Sequence, residues 1–171
     1  MTAVVRCLRS IAAVASVALA ASATPLPLHP PGVSAATSYA LLVGDSVLQA
    51  LDFGVNQPAR DVISSGHSFV LDAMGCRRLN SAGCRVNDVP VPNTAIEAIR
   101  EHAGEYTGAL VMVTGYNDVL QSDEVFAQTI DLVVSEARAQ HIPLVLWLTY
   151  REAGGFADAY RRHNEILRAK T

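Results

Sequence analysis

Charged and aromatic side chains are both scarce in this 171-residue chain: Asp, Glu, Lys and Arg make up 17% and Phe, Trp and Tyr 6%. A net charge of −3 gives no electrostatic attraction to phosphate, so no nucleic-acid partner is expected. There is no P-loop, and no G-x-G-x-x-G follows the first apolar run, which excludes the usual phosphate-cradling loops. Cysteine is limited to three residues, and thiols without nearby Cys or His partners make a poor zinc site. The apolar stretch Ile11–Ala20 is far shorter than the roughly 20 residues that span a bilayer, so no stable membrane insertion is expected. Internal repeats are absent as well.

What is present begins with an export signal. Arg6 and Arg9 form a basic start, "IAAVASVALA" an apolar centre, and Ala21-Ser22-Ala23 an A-x-A cleavage site. Residues 1–23 therefore read as a signal peptide and the protein as secreted or held in the cell envelope. Cleavage after Ala23 leaves 11 basic residues against 16 acidic ones. Thr24–Ser38, rich in Pro, Ser and Ala, reads as a flexible lead-in, and residues 39–171 as one domain. Export leaves Cys76 and Cys84, in "GCRRLNSAGC", most simply as a disulfide closing a short loop. A loop of that size is worth about 2.5 kcal/mol in the chain-entropy model.

Four apolar runs follow: Tyr39–Val43, Ser68–Leu71, Ala109–Thr114 and Pro143–Thr149. "ALVMVT" and "PLVLWLT" are apolar at successive positions, the pattern of strands buried on both faces of a parallel sheet. Helical patterns lie between and after them. Thr94–Ala103 opens after Asn93 as N-cap. Ser122–Gln140 has a capping serine and an apolar stripe through Val125, Ile130, Val133 and Val134. Phe156–Lys170 turns Tyr160, Ile166 and Leu167 inward. Strand–helix alternation of this kind predicts a doubly wound α/β layer fold. Right-handed crossovers then gather Gly44-Asp45-Ser46, Asp72–Gly75 and Gly115–Asp118 on one rim.

That rim carries the chemistry. Ser46 opens a helix after the first strand, although Asp45 or Ser46 would also serve there simply as a cap. Gly75 and Cys76 follow the second strand and could offer main-chain N–H groups. Asn117, after the third strand, supplies an amide donor that does not titrate. A nucleophile with one backbone and one amide donor is what a tetrahedral oxyanion needs.

These residues resemble the blocks of the SGNH or GDSL hydrolases. Gly44-Asp45-Ser46 matches the first block, with Ser46 as nucleophile, and Gly115-Tyr116-Asn117-Asp118 the third, with Asn117 as oxyanion donor. Gly75 in "LDAMGCRRL" matches the second-block glycine. The chain looks most like the secreted SGNH domains of cell-surface O-acyltransferases, where D-A-x-x-G-R occupies this place and Cys76 would fall at the glycine. The resemblance, over Tyr39–Leu167, implies a flavodoxin-like three-layer α/β/α fold with a mostly parallel sheet. It also implies esterase or acyl-transfer chemistry on a small acyl ester or acylated glycan, without metal or cofactor.

The family's D-x-x-H block, which supplies the general base, has no match here. His29 falls in the lead-in, His67 and His141 at the far ends of strands, His102 late in a helix, and His163 on the last helix, facing solvent. The expectation is an SGNH-type domain that lacks its last strand and is impaired in catalysis. The alternative is an inactive remnant or an envelope-ligand-binding module on the same fold. The Leu144–Leu148 run is expected to form an unpaired edge. Trp147 and Tyr150 are expected in the core, Arg77 and Arg78 on a solvated surface, and Asp118 as a helix cap.

Overall fold

The computed structural model describes residues 3–7, 39–85 and 90–170; the apolar run Ile11–Ala20 and the lead-in Thr24–Ser38 lie outside them. Five strands run through Ala3–Cys7 (β1), Ala40–Gly44 (β2), Phe69–Ala73 (β3), Ala109–Val113 (β4) and Leu144–Leu148 (β5). The helices are Ser46–Gln49 (α1), Gln57–Gly66 (α2), Ala95–Glu101 (α3), Asp123–Ala139 (α4) and Ala157–Lys170 (α5). The sheet order is β1-β5-β4-β2-β3. The four strands β3-β2-β4-β5 are parallel, as the apolar runs predicted, in a three-layer α/β/α arrangement.

The fifth strand corrects the expectation of a bare β5 edge; among the described residues no strand follows α5. Ala3–Cys7, placed in the leader by sequence, pairs antiparallel with β5, Ala3 opposite Leu148 and Cys7 opposite Leu144. Strand pairing needs only a free row of N–H and C=O groups, and β5 offers one whatever the order in the chain.

One face of the sheet is thickly covered. Leu41, Val43, Leu110, Met112, Val145 and Trp147 pack there against Ile96 and Ile99 of α3, Phe126, Ile130, Val133 and Val134 of α4, and Leu167 of α5. Each such large side chain taken fully out of water contributes about 1.5–3 kcal/mol. Phe126, rather than Val125, completes the α4 stripe, and Val125 is exposed. The start of α3 is also shifted by one residue from Asn93. Thr94 is the cap, its hydroxyl accepting from Glu97 N while the Glu97 carboxylate accepts from Thr94 N, a full capping box.

The other face is thinly covered. Leu42, Leu48 and Val113 are buried there, but α2 buries none of its residues. A groove of about 560 Å³ therefore runs across it, lined by Phe69, Val111, Leu144, Leu146 and Leu148 among others. β5 consequently alternates, burying Val145 and Trp147 and leaving the other three half-buried, where continuous apolarity predicted burial on both faces. Trp147 and Tyr150 lie in the core as expected. Asn164 of α5 seals the end of β5. Its Oδ1 accepts from Tyr150 N at 2.7 Å and its Nδ2 donates to Tyr150 O at 2.9 Å, much as a neighbouring strand would.

Candidate active site

The β2–α1 junction answers the question of which residue caps. Asp45 is the N-cap, with Oδ1 accepting from Val47 N at 3.0 Å, so Ser46 is free of that duty and stands exposed as the first residue of α1. The other oxygen of Asp45 accepts from Tyr116 N at 3.2 Å. One buried carboxylate thus ties the end of β2 to the loop after β4. Burial raises the Asp45 pKa above the ordinary aspartate value, while the main-chain N–H groups of Val47, Tyr116 and Gly115 and the Arg77 charge pull it back.

The second segment closes on the first from β3. Met74 N donates to Gly44 O at 3.1 Å, and a side chain at Gly75 would meet Gln49 Oε1 of α1 at 3.1 Å. Within this turn the left-handed residue is Cys76, at φ 63°, a conformation in which glycine is the usual occupant. Cys76 is bridged to Cys84, Cα–Cα 5.3 Å, so the expected disulfide is formed.

Asn117 sits in the short 3-10 turn Tyr116–Asp118, and its Nδ2 donates to Arg77 O at 3.0 Å. Ser46, Gly75 and Asn117 are therefore all carried on strand-end segments linked to one another by hydrogen bonds. The turn is built on Gly115, at φ 118°. Behind it Tyr116 meets Tyr150 edge-on with centroids 5.0 Å apart and Tyr160 at 5.2 Å, which fixes its ring.

Two expectations about charge are corrected. Arg77 is not solvated but fully buried, while its neighbour Arg78 is half-buried. Asp118 does not cap α4, because Ser122 does. Instead it is buried, accepting from Leu79 N at 3.1 Å and from Gln121 Nε2 at 2.8 Å. Burial pushes its pKa up to about 7, with the Asp45 charge adding to the rise and the Leu79 N–H and Arg78 opposing it.

This has a measurable sign. The native state holds the Asp118 proton up to about pH 7, whereas an unfolded aspartate releases it near pH 3.8. Stability is therefore highest at the acid end of that window and falls as pH rises through it, by at most about 1.4 kcal/mol per pH unit. Urea midpoints should drop between pH 5 and pH 7.5, and Asp118→Asn should flatten that drop. The Asp45 shift runs in the same direction and leaves a residual slope. A wild-type midpoint that rises over this range would contradict the assignment.

No hydrogen bond joins a described histidine to Ser46. His102 Nδ1 lies 2.6 Å from Glu105 Oε2 and its Nε2 3.3 Å from Asp72 Oδ2. His67 lines the apolar groove, and His141 occupies a left-handed turn before β5. His163, expected at the surface, is fully buried and stacked on Phe126 at 3.9 Å. Burial lowers its pKa, while the Asp123 charge and the Gln121 main chain oppose that fall. Among the described residues no group of His, Cys, Asp and Glu could hold a metal ion.

No family model matches the chain, and no curated protein matches it. Among solved structures it is similar to the psychrotrophic esterase EstA from Pseudoalteromonas sp., in a form inhibited by monoethylphosphonate. Identity is 12%, over 78% of this chain and 73% of that one, with a TM-score of 0.48.

Proposed function

We propose that this chain is an exported SGNH-type acyl-ester hydrolase or O-acyl-transfer domain. Ser46 is its nucleophile, and the Gly75–Cys76 main chain and Asn117 are its oxyanion donors. The observation that carries the reading is the linkage of three strand-end segments: Asp45 to Tyr116, Met74 to Gly44, and Asn117 to Arg77. A hydroxyl left free by the Asp45 cap, beside a turn and an amide held in place, suits attack on an ester carbonyl. The developing charge would then meet donors already oriented, so little reorganisation is needed at the moment of reaction. Small acyl esters or acylated glycans are the substrate class. The disulfide is consistent with an oxidising compartment, and no helix among the described residues is long and apolar enough to cross a membrane.

The pairing of His102 with Asp72 and Glu105 and the burial of His163 against Phe126 favour a second reading, a non-catalytic module on the same fold. Without a base the serine is poorly activated, and the remaining rate comes from the oxyanion donors and binding alone. Treatment with a fluorophosphonate probe separates the possibilities. The expected result is slow labelling, confined to Ser46 and absent from Ser46→Ala. No labelling above the Ser46→Ala background would favour the non-catalytic module. Rapid stoichiometric labelling would overturn the account of the missing base.

A further inference from the structure

Arg77 is the one fully buried arginine among the described residues, and every N–H of its guanidinium has an acceptor. Nε donates to Asn93 O at 3.2 Å. Nη1 donates to Asp72 O at 2.7 Å and to Gly44 O at 3.5 Å, and Nη2 to Asp72 Oδ1 at 2.6 Å and Asn93 Oδ1 at 2.5 Å. A buried charge is tolerated only when satisfied in this way, and losing one partner leaves the rest uncompensated. The acceptors come from the end of β2, the end of β3 and the residues leading into α3. His102 stands behind Asp72, with Nε2 3.3 Å from the free carboxylate oxygen.

The main chain of the same residue faces the site. Arg77 N donates to Met74 O at 3.2 Å, closing the turn that presents Gly75 and Cys76. Arg77 O accepts the Asn117 amide at 3.0 Å. Both proposed oxyanion donors therefore hang on the backbone of one residue whose side chain is anchored in the protein interior.

We propose that Arg77 is the positioning residue of this site, presetting the Gly75–Cys76 turn and the Asn117 amide for an oxyanion. The proposal rests on the reading of Ser46, Gly75 and Asn117 given above. Arg77 touches no substrate; it acts through the groups it holds. Lysine carries the charge but cannot reach acceptors from three directions with one ammonium, so Arg77→Lys disturbs the turn while keeping a cation in place. Displacements near 1 Å at a reacting centre cost up to about 100-fold in rate.

The test follows two signals in full-length wild type, Arg77→Lys and Asn93→Ala: the second-order rate of Ser46 labelling by a fluorophosphonate, and the NMR resonances of the Asn117 side-chain amide. Thermal melts establish folding. A folded Arg77→Lys protein should lose about 10- to 100-fold in labelling rate and shift the Asn117 amide towards solvent-exposed values. Asn93→Ala, which removes one support, should move both signals the same way by less. A folded Arg77→Lys protein with labelling within about twofold of wild type and an unmoved Asn117 amide would overturn the proposal. If Arg77→Lys fails to fold, unchanged signals in Asn93→Ala overturn it. If wild-type Ser46 does not react at all, the catalytic reading fails, while the Asn117 resonances still decide whether Arg77 positions that amide.

Discussion

Deletion of residues 2–7 will open the β5 edge and turn the protein towards self-association. In the full chain the outer N–H and C=O groups of Leu144–Leu148 are paired with Ala3–Cys7. Each lost ladder hydrogen bond costs about 1 kcal/mol net. The uncovered strand is apolar throughout and carries neither charge nor bulge, the features that normally discourage edge-to-edge pairing. Comparison with the full chain keeps residues 8–171 constant, so only the ladder changes. Hydrogen exchange should show lost protection of the β5 amides that face β1, and light scattering should show concentration-dependent association. Unchanged protection and an unchanged association state would contradict the pairing.

Gly115→Ala will destabilise the protein by about 3–5 kcal/mol, measured by chemical denaturation. A non-glycine residue at φ 118° carries backbone strain on the order of 1–3 kcal/mol. The added methyl would also collide with the Tyr150 hydroxyl and ring. That hydroxyl donates to Thr114 O at 3.1 Å, and pushing it aside strands a buried donor, a cost of about 1–3 kcal/mol. The two parts separate in a double-mutant cycle. Tyr150→Phe removes the hydroxyl, so Gly115→Ala should cost less on that background, leaving the backbone strain and the contact with the ring. A cost below about 1 kcal/mol in the wild-type background would show that the turn tolerates a side chain. Because Tyr116 and Asn117 follow directly, the same substitution should displace the Asn117 amide.

Much of this architecture is legible along the chain. The four apolar runs lie within a residue or two of β2, β3, β4 and β5, because a strand inside a parallel sheet must present apolar groups to its surroundings. Ser46 and Asn117 lie at strand ends because Gly44 and Gly115 mark where those runs stop. The Cys76–Cys84 bridge follows from two cysteines eight positions apart. The α3 and α4 caps were readable to within a residue, since a cap acts within one turn.

The features that escaped share a different physics. Arg77 looks like a surface residue beside Arg78, and its acceptors lie 5, 16 and 33 positions away along the chain. No local pattern reports that a charge will be fully paired once those segments meet. His163 and Asp118 are polar by type, yet both are buried, one stacked on Phe126 and the other accepting from the Leu79 main chain. The left-handed backbone of Cys76 lies in a turn bonded to β2 on one side and bridged to Cys84 on the other. β1 is the plainest instance: its residues read as part of a leader, and only a vacant row of β5 hydrogen-bonding groups makes them a strand. Burial preference and turn chemistry are properties of neighbours in sequence, whereas pairing of charges, edges and amides belongs to neighbours in space.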